Sequence, residues 1–150
     1  MEIQIKEAIK KDVDKELLEL FIEGYRYHQK GRPDIFSNKN NETLKELMDD
    51  IMNNSKIIIA LVDNKIVGYL SYKIEQKQSK KLNVDQIIIT ESYRRKSIGK
   101  TLMNEAEKIA KKARCDRIEL SCWTFNTDAL SVYKHLGYDE QRIIYEKKIK

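Results

Sequence analysis

The densest chemistry in the chain is the stretch ESYRRKSIGKT, residues 91–101, where three consecutive bases, Arg94, Arg95 and Lys96, run into Ser97, Ile98, Gly99, Lys100 and Thr101. Bases followed by small residues at a helix start suit an anion. The first helical turn has N–H donors without intrahelical partners and the positive end of the helix dipole, so groups from Arg95 to Lys100 would converge on a phosphate. Ser97 and Gly99 keep that turn uncrowded, and the three cations would suit a pyrophosphate, which is charged at both phosphorus centres. Two other readings stand beside this one. Gly99-Lys100-Thr101 matches the tail of a Walker-type nucleotide loop, but that loop needs a glycine five positions before its second one, where this chain has Arg94. Alternatively the bases form a surface turn and Gly99 is a tolerated helix glycine, costing about 1 kcal/mol relative to alanine.

The elements that must position this stretch are read from hydrophobic period. Ile3 and Ile5 alternate as a short strand, and Val13, Leu17, Leu20, Phe21 and Gly24 then follow helical spacing. A loop rich in turn formers, KGRPDIFSNKNN, leads to a second amphipathic helix carrying Leu44, Leu47, Met48 and Ile51. KIIIALVDNKIVGYLSYKI reads as a hairpin turning at Asp63-Asn64-Lys65, and LNVDQIIIT as the next strand. Ile98, Leu102, Ala106, Ile109 and Ala113 share one face of a helix running to about Arg114, so the basic stretch sits at a strand-to-helix junction. DRIELSCW is a strand, TDALSVYKHLG a helix closed by Gly137, and DEQRIIYEKKI a terminal strand. Hairpins first and a crossover later imply a mixed α/β fold.

Composition narrows the function. One domain spanning residues 1–150 is expected at this length, with no secretion signal or membrane span, and a cytoplasmic setting follows most simply. The net charge of +5 is spread among nearly as many acids, which does not indicate nucleic acid. Cys115 and Cys122 are spaced unlike a metal or redox pair, and no metal site is visible.

The residues at the junction resemble the GCN5-related N-acetyltransferases (GNAT), whose acetyl-coenzyme A loop reads (Gln/Arg)-x-x-Gly-x-(Gly/Ala) between a strand and a helix; here it is Arg94-Arg95-Lys96-Ser97-Ile98-Gly99. NTDALSVYKHLGY, Asn126 to Tyr138, is similar to the family's second signature, Asn-x-x-Ala-x-x-x-Tyr-x-x-x-Gly-(Phe/Tyr), at every fixed position. Two positions differ: Ser97 replaces the usual first glycine and Glu91 a common proline. A positive φ at position 97 would strain a serine. The resemblance spans roughly residues 57 to 145 and implies a central, mostly antiparallel sheet of about six to seven strands flanked by about four helices.

By that resemblance the chain is an acetyl-coenzyme A-dependent N-acetyltransferase acting directly on a primary amine of a small molecule or protein, as monomer or homodimer. The rival of another class is a non-catalytic acyl-coenzyme A sensor. The cofactor would meet the main chain of Ile87, Ile88 and Ile89, with the N–H groups near Ile88 and Ile89 polarising its carbonyl, then residues Arg94 to Thr101, and Asn126. Asn126 also suits the N-cap of its helix. Tyr133 would hydrogen-bond the leaving thiolate, or else fills core with a wet tip. Asp85, at the start of the fourth strand, is the first candidate base, with Glu119 and His28 as others, although His28 also reads as an exposed helix residue. The acceptor wall would be Tyr25, Tyr27, His28, Arg32, Asp34 and Phe36, from the end of the first helix and the loop HQKGRPDIF, which reads equally as a plain helix-ending connection, with Trp123 at the end of strand five lining the same cleft or covering the core.

Overall fold

The computed structural model describes residues 1–10 and 15–150; Val13 of the first helical pattern lies outside the described residues. The order is β1 (Gln4–Glu7), α1 (Glu16–Gly31), α2 (Asn41–Asn54), β2 (Lys56–Val62), β3 (Lys65–Gln76), β4 (Lys80–Ile89), a 3-10 turn (Glu91–Tyr93), α3 (Ile98–Lys112), β5 (Arg117–Leu120) and α4 (Thr127–His135). The strands form one sheet in sequence order, antiparallel except for the parallel β4–β5 pair. Among the described residues the sheet has five strands, fewer than the six to seven expected, because residues 139–150 form none. No helix among the described residues is long and apolar enough to cross a membrane.

Local sequence accounts for most of these elements. Leu17, Leu20, Phe21 and Gly24 are the buried stripe of α1, and Leu44 and Met48 that of α2, whose N-terminus Asn40 caps by accepting from the Thr43 N–H at 2.8 Å. The β2–β3 hairpin turns on Asp63 and Asn64, both with positive φ (50° and 63°), which two-residue hairpin loops require and which these types tolerate. β2 is apolar on both faces because both are covered. Ile57, Ile59, Leu61 and Tyr69 pack under α1 and α2, whereas Ile58, Ala60, Val67, Leu70, Leu82 and Val84 pack against α3. α4 ends as the sequence predicts: Gly137 takes φ 90°, its N–H bonds the Lys134 carbonyl at 3.1 Å, and the Tyr138 N–H reaches the Tyr133 carbonyl at 2.9 Å.

Two irregularities shape β4. Ser71 pairs with Gln86 and Tyr72 with Val84, so Asp85 is the extra residue of a β-bulge and lies in mid-strand, not at its start. The parallel pairing with β5 stops at Val84 and Leu120, one residue before the bulge. From there to Ile89, β4 has a neighbour on its β3 side alone.

Candidate active site

The separation of β4 from β5 after Val84 and Leu120 leaves the β4 main chain without a strand neighbour on that side, and this gap is the candidate cleft. The Thr90 N–H bonds the Val67 carbonyl at 2.9 Å, and by antiparallel alternation Ile88 likewise turns its N–H and carbonyl toward β3. Ile87 and Ile89 therefore turn theirs into the cleft, where Arg94 Nε donates to the Ile89 carbonyl at 3.1 Å. This corrects the expectation for Ile88: its main chain is committed to the sheet, and its side chain packs on Gly24, where a Cβ would fall 2.5 Å from Ile88 Cδ1.

At the far end of the cleft stands the N-terminus of α3. Arg95 and Ser97 both have positive φ, 61° and 65°, backbone of the sort that gathers successive N–H groups into an anion-binding concavity. Ser97 is the N-cap by position, yet its side chain makes no capping bond to the first turn. Beside it, a Cβ built on Gly99 would meet nothing within 4 Å, so space for a ligand lies over the first-turn donors. Ile98 is buried and anchors the turn. The Thr101 hydroxyl donates to the Ser97 carbonyl at 2.7 Å, which spends it within the helix and argues further against a metal-bound Walker threonine. Lys100 is exposed on the first turn. The three bases divide: Lys96 lies over the Tyr93 ring and Arg95 stands in solvent, whereas Arg94 turns inward over Tyr27 to meet Glu23 at 3.3 Å. Glu23 also accepts from the Thr90 hydroxyl and the Glu91 N–H, tying α1 to the end of β4.

The opposite rim is aromatic. His28 lies 5.3 Å from Phe36 and 5.8 Å from Phe125 between ring centroids, Phe36 meets Trp123 edge-on at 5.8 Å, and Trp123 stacks on Phe125 at 6.3 Å. Tyr25 closes the cluster against Phe36, and Arg32 lies over Trp123 while gripping Asp34 and Glu146 at 2.8 and 2.7 Å. The Arg32 guanidinium holds the Asp34 carboxyl down at about 2. Trp123 lies in the loop beyond β5, and His28 is half-buried among rings, not on an exposed face. The Tyr27 hydroxyl donates to Asn126 Oδ1 at 3.3 Å, an oxygen that also accepts from the Ala129 N–H at 3.4 Å and so caps α4. Sequence reasoning missed Phe125, Glu23 and Glu146. Phe125 had one available signal, its place between Trp123 and a capping Asn126; the two glutamates had none.

Tyr133 projects from α4 and is largely buried, with Tyr138 at 6.2 Å. Burial, then the neighbouring Cys122 and Tyr138, push its phenol well above the ordinary range, so it stays protonated at neutral pH. Burial likewise raises the Cys122 thiol, which keeps it an unreactive neighbour.

The family model described as Acetyltransferase (GNAT) family matches residues 15–138. The chain belongs to this family. An N-alpha-acetyltransferase of Sulfurisphaera tokodaii is 31% identical over 96 residues, which is 57% of this chain and 58% of that protein. The chain thus spans less than two thirds of that relative's length. The mutant BH1408 protein from Bacillus halodurans superposes with a TM-score of 0.85 at 23% identity, covering 98% of this chain and 99% of its own. Aminoglycoside N-acetyltransferase AAC(6')-Iy, solved in complex with CoA, gives a TM-score of 0.72 at 16% identity, covering 99% and 96%. Both likenesses describe the GNAT fold.

Within this GNAT domain the three candidate bases are unequal. Glu119 is bonded by Lys81 and Gln141, which lower its carboxyl to about 2 and suit it to holding strands together. Asp85 accepts from Asn83 at 2.9 Å and Ser55 at 3.2 Å, with Lys73 at 3.9 Å, and lines a cavity of about 350 Å³ with Asp50, Ile51 and Asn54. His28 Nδ1 lies 2.8 Å from the Gly24 carbonyl, which can only accept, so Nδ1 carries hydrogen and Nε2 of the neutral ring is an acceptor.

Proposed function

We propose that the chain is an acetyl-coenzyme A-dependent N-acetyltransferase acting on a primary amine. The observation that carries this reading is the cleft itself: main-chain N–H groups of Ile87 and Ile89 turned away from β3 where β5 no longer pairs, leading to the open first turn of α3 at Gly99. The relative named an N-alpha-acetyltransferase favours an α-amine as acceptor.

Acetyl-coenzyme A would supply a thioester carbonyl activated toward amines and a thiolate leaving group. The first-turn N–H groups from Arg95 to Lys100, with Arg95 and Lys96 at the rim, would hold its diphosphate. The N–H of Ile87 or Ile89 would orient and polarise its carbonyl at no cost of reorganisation. Tyr133 would donate a hydrogen bond to the sulfur; its phenol, raised above a thiol's reference value of about 8.5, would hold the departing thiolate without surrendering its own proton. The rings of Tyr27, His28, Phe36, Trp123 and Phe125 exclude water from the acceptor. The acceptor ammonium must lose one proton before its nitrogen can attack, and Asp85 at the bulge, through water, or His28 Nε2 would take it; as the C–N bond forms and the C–S bond breaks, the second amine proton would pass to the departing thiolate.

Isothermal titration of acetyl-coenzyme A into the wild type and Gly99→Asp tests the cradle, and thiol release on an amine panel tests turnover. Micromolar binding lost in the variant, with turnover, is the expected result. Binding without turnover would identify a sensor, and no binding would overturn the proposal.

A further inference from the structure

The approach to the cradle is held from outside its own segment. β4 is fixed as far as Thr90, whose N–H bonds the Val67 carbonyl at 2.9 Å, and α3 is fixed from Ile98, which is buried in the core. Residues 91–97 run between these two anchors and set the direction in which the main chain of Arg95 and Ser97, both at positive φ, opens toward a ligand. The 3-10 turn Glu91–Tyr93 begins this run, and its cap residue Thr90 makes no side-chain capping bond. The Glu91 N–H, first in the turn, has no partner within it.

Glu23 of α1 supplies one. Its carboxylate accepts from the Glu91 N–H at 2.9 Å, from the Thr90 hydroxyl at 2.8 Å and from Arg94 Nη2 at 3.3 Å, so one side chain holds the turn at its first residue and at the residue after its last. Arg94 is thereby turned to the Ile89 carbonyl, 3.1 Å from its Nε, and not outward with Arg95 and Lys96. The reach depends on how closely α1 lies to β4. Gly24 is buried, and Ile88 Cδ1 would lie 2.5 Å from a Cβ there, so the helix comes near enough for the preceding glutamate to meet the end of the strand.

The residue at position 91 is what makes the clamp necessary. A proline there would bring no N–H to satisfy and would preset the φ of the turn's first residue. This chain has glutamate, although Thr90 holds φ −61° and ψ 144°, backbone that a following proline accepts.

We infer that Glu23 is a positioning residue of the diphosphate cradle: it caps the turn from the neighbouring helix, where a proline at position 91 would need no cap, and so fixes residues 91–97 for the ligand. The inference rests on the acetyl-coenzyme A reading of the site.

Isothermal titration and steady-state thiol release on the full chain test it. Glu23→Ala should raise the acetyl-coenzyme A Kd and KM about tenfold and leave kcat within about threefold. With acetyl-pantetheine, which has no diphosphate, kcat/KM should change by less than about threefold, a split that general loss of structure would not produce. Glu91→Pro should bind acetyl-coenzyme A within about threefold of wild type, and adding it to Glu23→Ala should restore binding to that range. Glu23→Gln keeps an acceptor but not the charge that holds Arg94; it should fall between Glu23→Ala and wild type, and it reads the same effect if the alanine variant does not fold. A wild type that does not bind acetyl-coenzyme A would overturn the acetyl-transfer reading and this inference with it. Wild-type binding that Glu23→Ala leaves unchanged, an equal loss with acetyl-pantetheine, or a double variant no better than Glu23→Ala would overturn the positioning role alone.

Discussion

Ser97 holds a left-handed φ of 65° without the hydrogen bond a capping serine usually makes, a conformation that costs a non-glycine residue about 1 kcal/mol. Ser97→Gly should therefore raise the thermal midpoint by about 3 °C, read by calorimetry. At Tyr133 the expected effect is kinetic. A neutral phenol that only donates to a thiolate contributes as one charge-assisted hydrogen bond, so Tyr133→Phe should lower kcat about 10- to 100-fold and leave the acetyl-coenzyme A KM within about threefold, measured by steady-state thiol release. Both residues were legible in sequence because each occupies a fixed place in a local motif. Asp85 was legible as an acid in a strand, but not as the extra residue of a bulge, since a bulge exists only against its partner strand. Phe125 could be read as an aromatic; its packing on Gly31 depends on where α1 ends relative to the loop after β5.

That junction of α1 with the β5–α4 loop gives a prediction about elements. A Cβ on Gly31 would fall 2.3 Å from Phe125 Cε1, so the ring sits where a side chain would be. Gly31→Ala should cost about 1–3 kcal/mol by overpacking, read as a lower urea midpoint, and should raise the acceptor KM because Phe125 carries Trp123 with it. The hairpin, α3 and α4 declared themselves through local signals: Asp63-Asn64 for the turn, one apolar stripe from Ile98, and Gly137 at the helix end. The end of β4–β5 pairing did not, because the sequence on either side of Val84 and Leu120 is equally strand-like. The terminal strand failed for a related reason. Its composition is right, but a strand needs main-chain pairing, and among the described residues this segment meets the body through the side chains of Gln141 and Glu146.

At the scale of the whole molecule, Glu119 is where three parts of the chain meet. From β5 it takes Lys81 of β4, Arg117 of its own strand at 3.5 Å, and Gln141 of the terminal segment. Lys81 first, then Gln141, hold its carboxyl at about 2 against an ordinary 4.5. Between those values the unfolded chain binds a proton that the folded chain refuses, so the stability this carboxylate contributes is fully present above about pH 4.5 and is lost as pH falls toward 2. Glu119→Gln keeps the shape and removes the charge. The variant should be less stable than wild type at neutral pH, and its urea midpoint should fall less steeply between pH 4.5 and 2, so that the two curves converge at the acid end. Parallel curves across that window would mean that Lys81 and Gln141 do not favour the ionised form, and that the β4–β5 pair is held by its main chain and by Leu82 and Val84 alone.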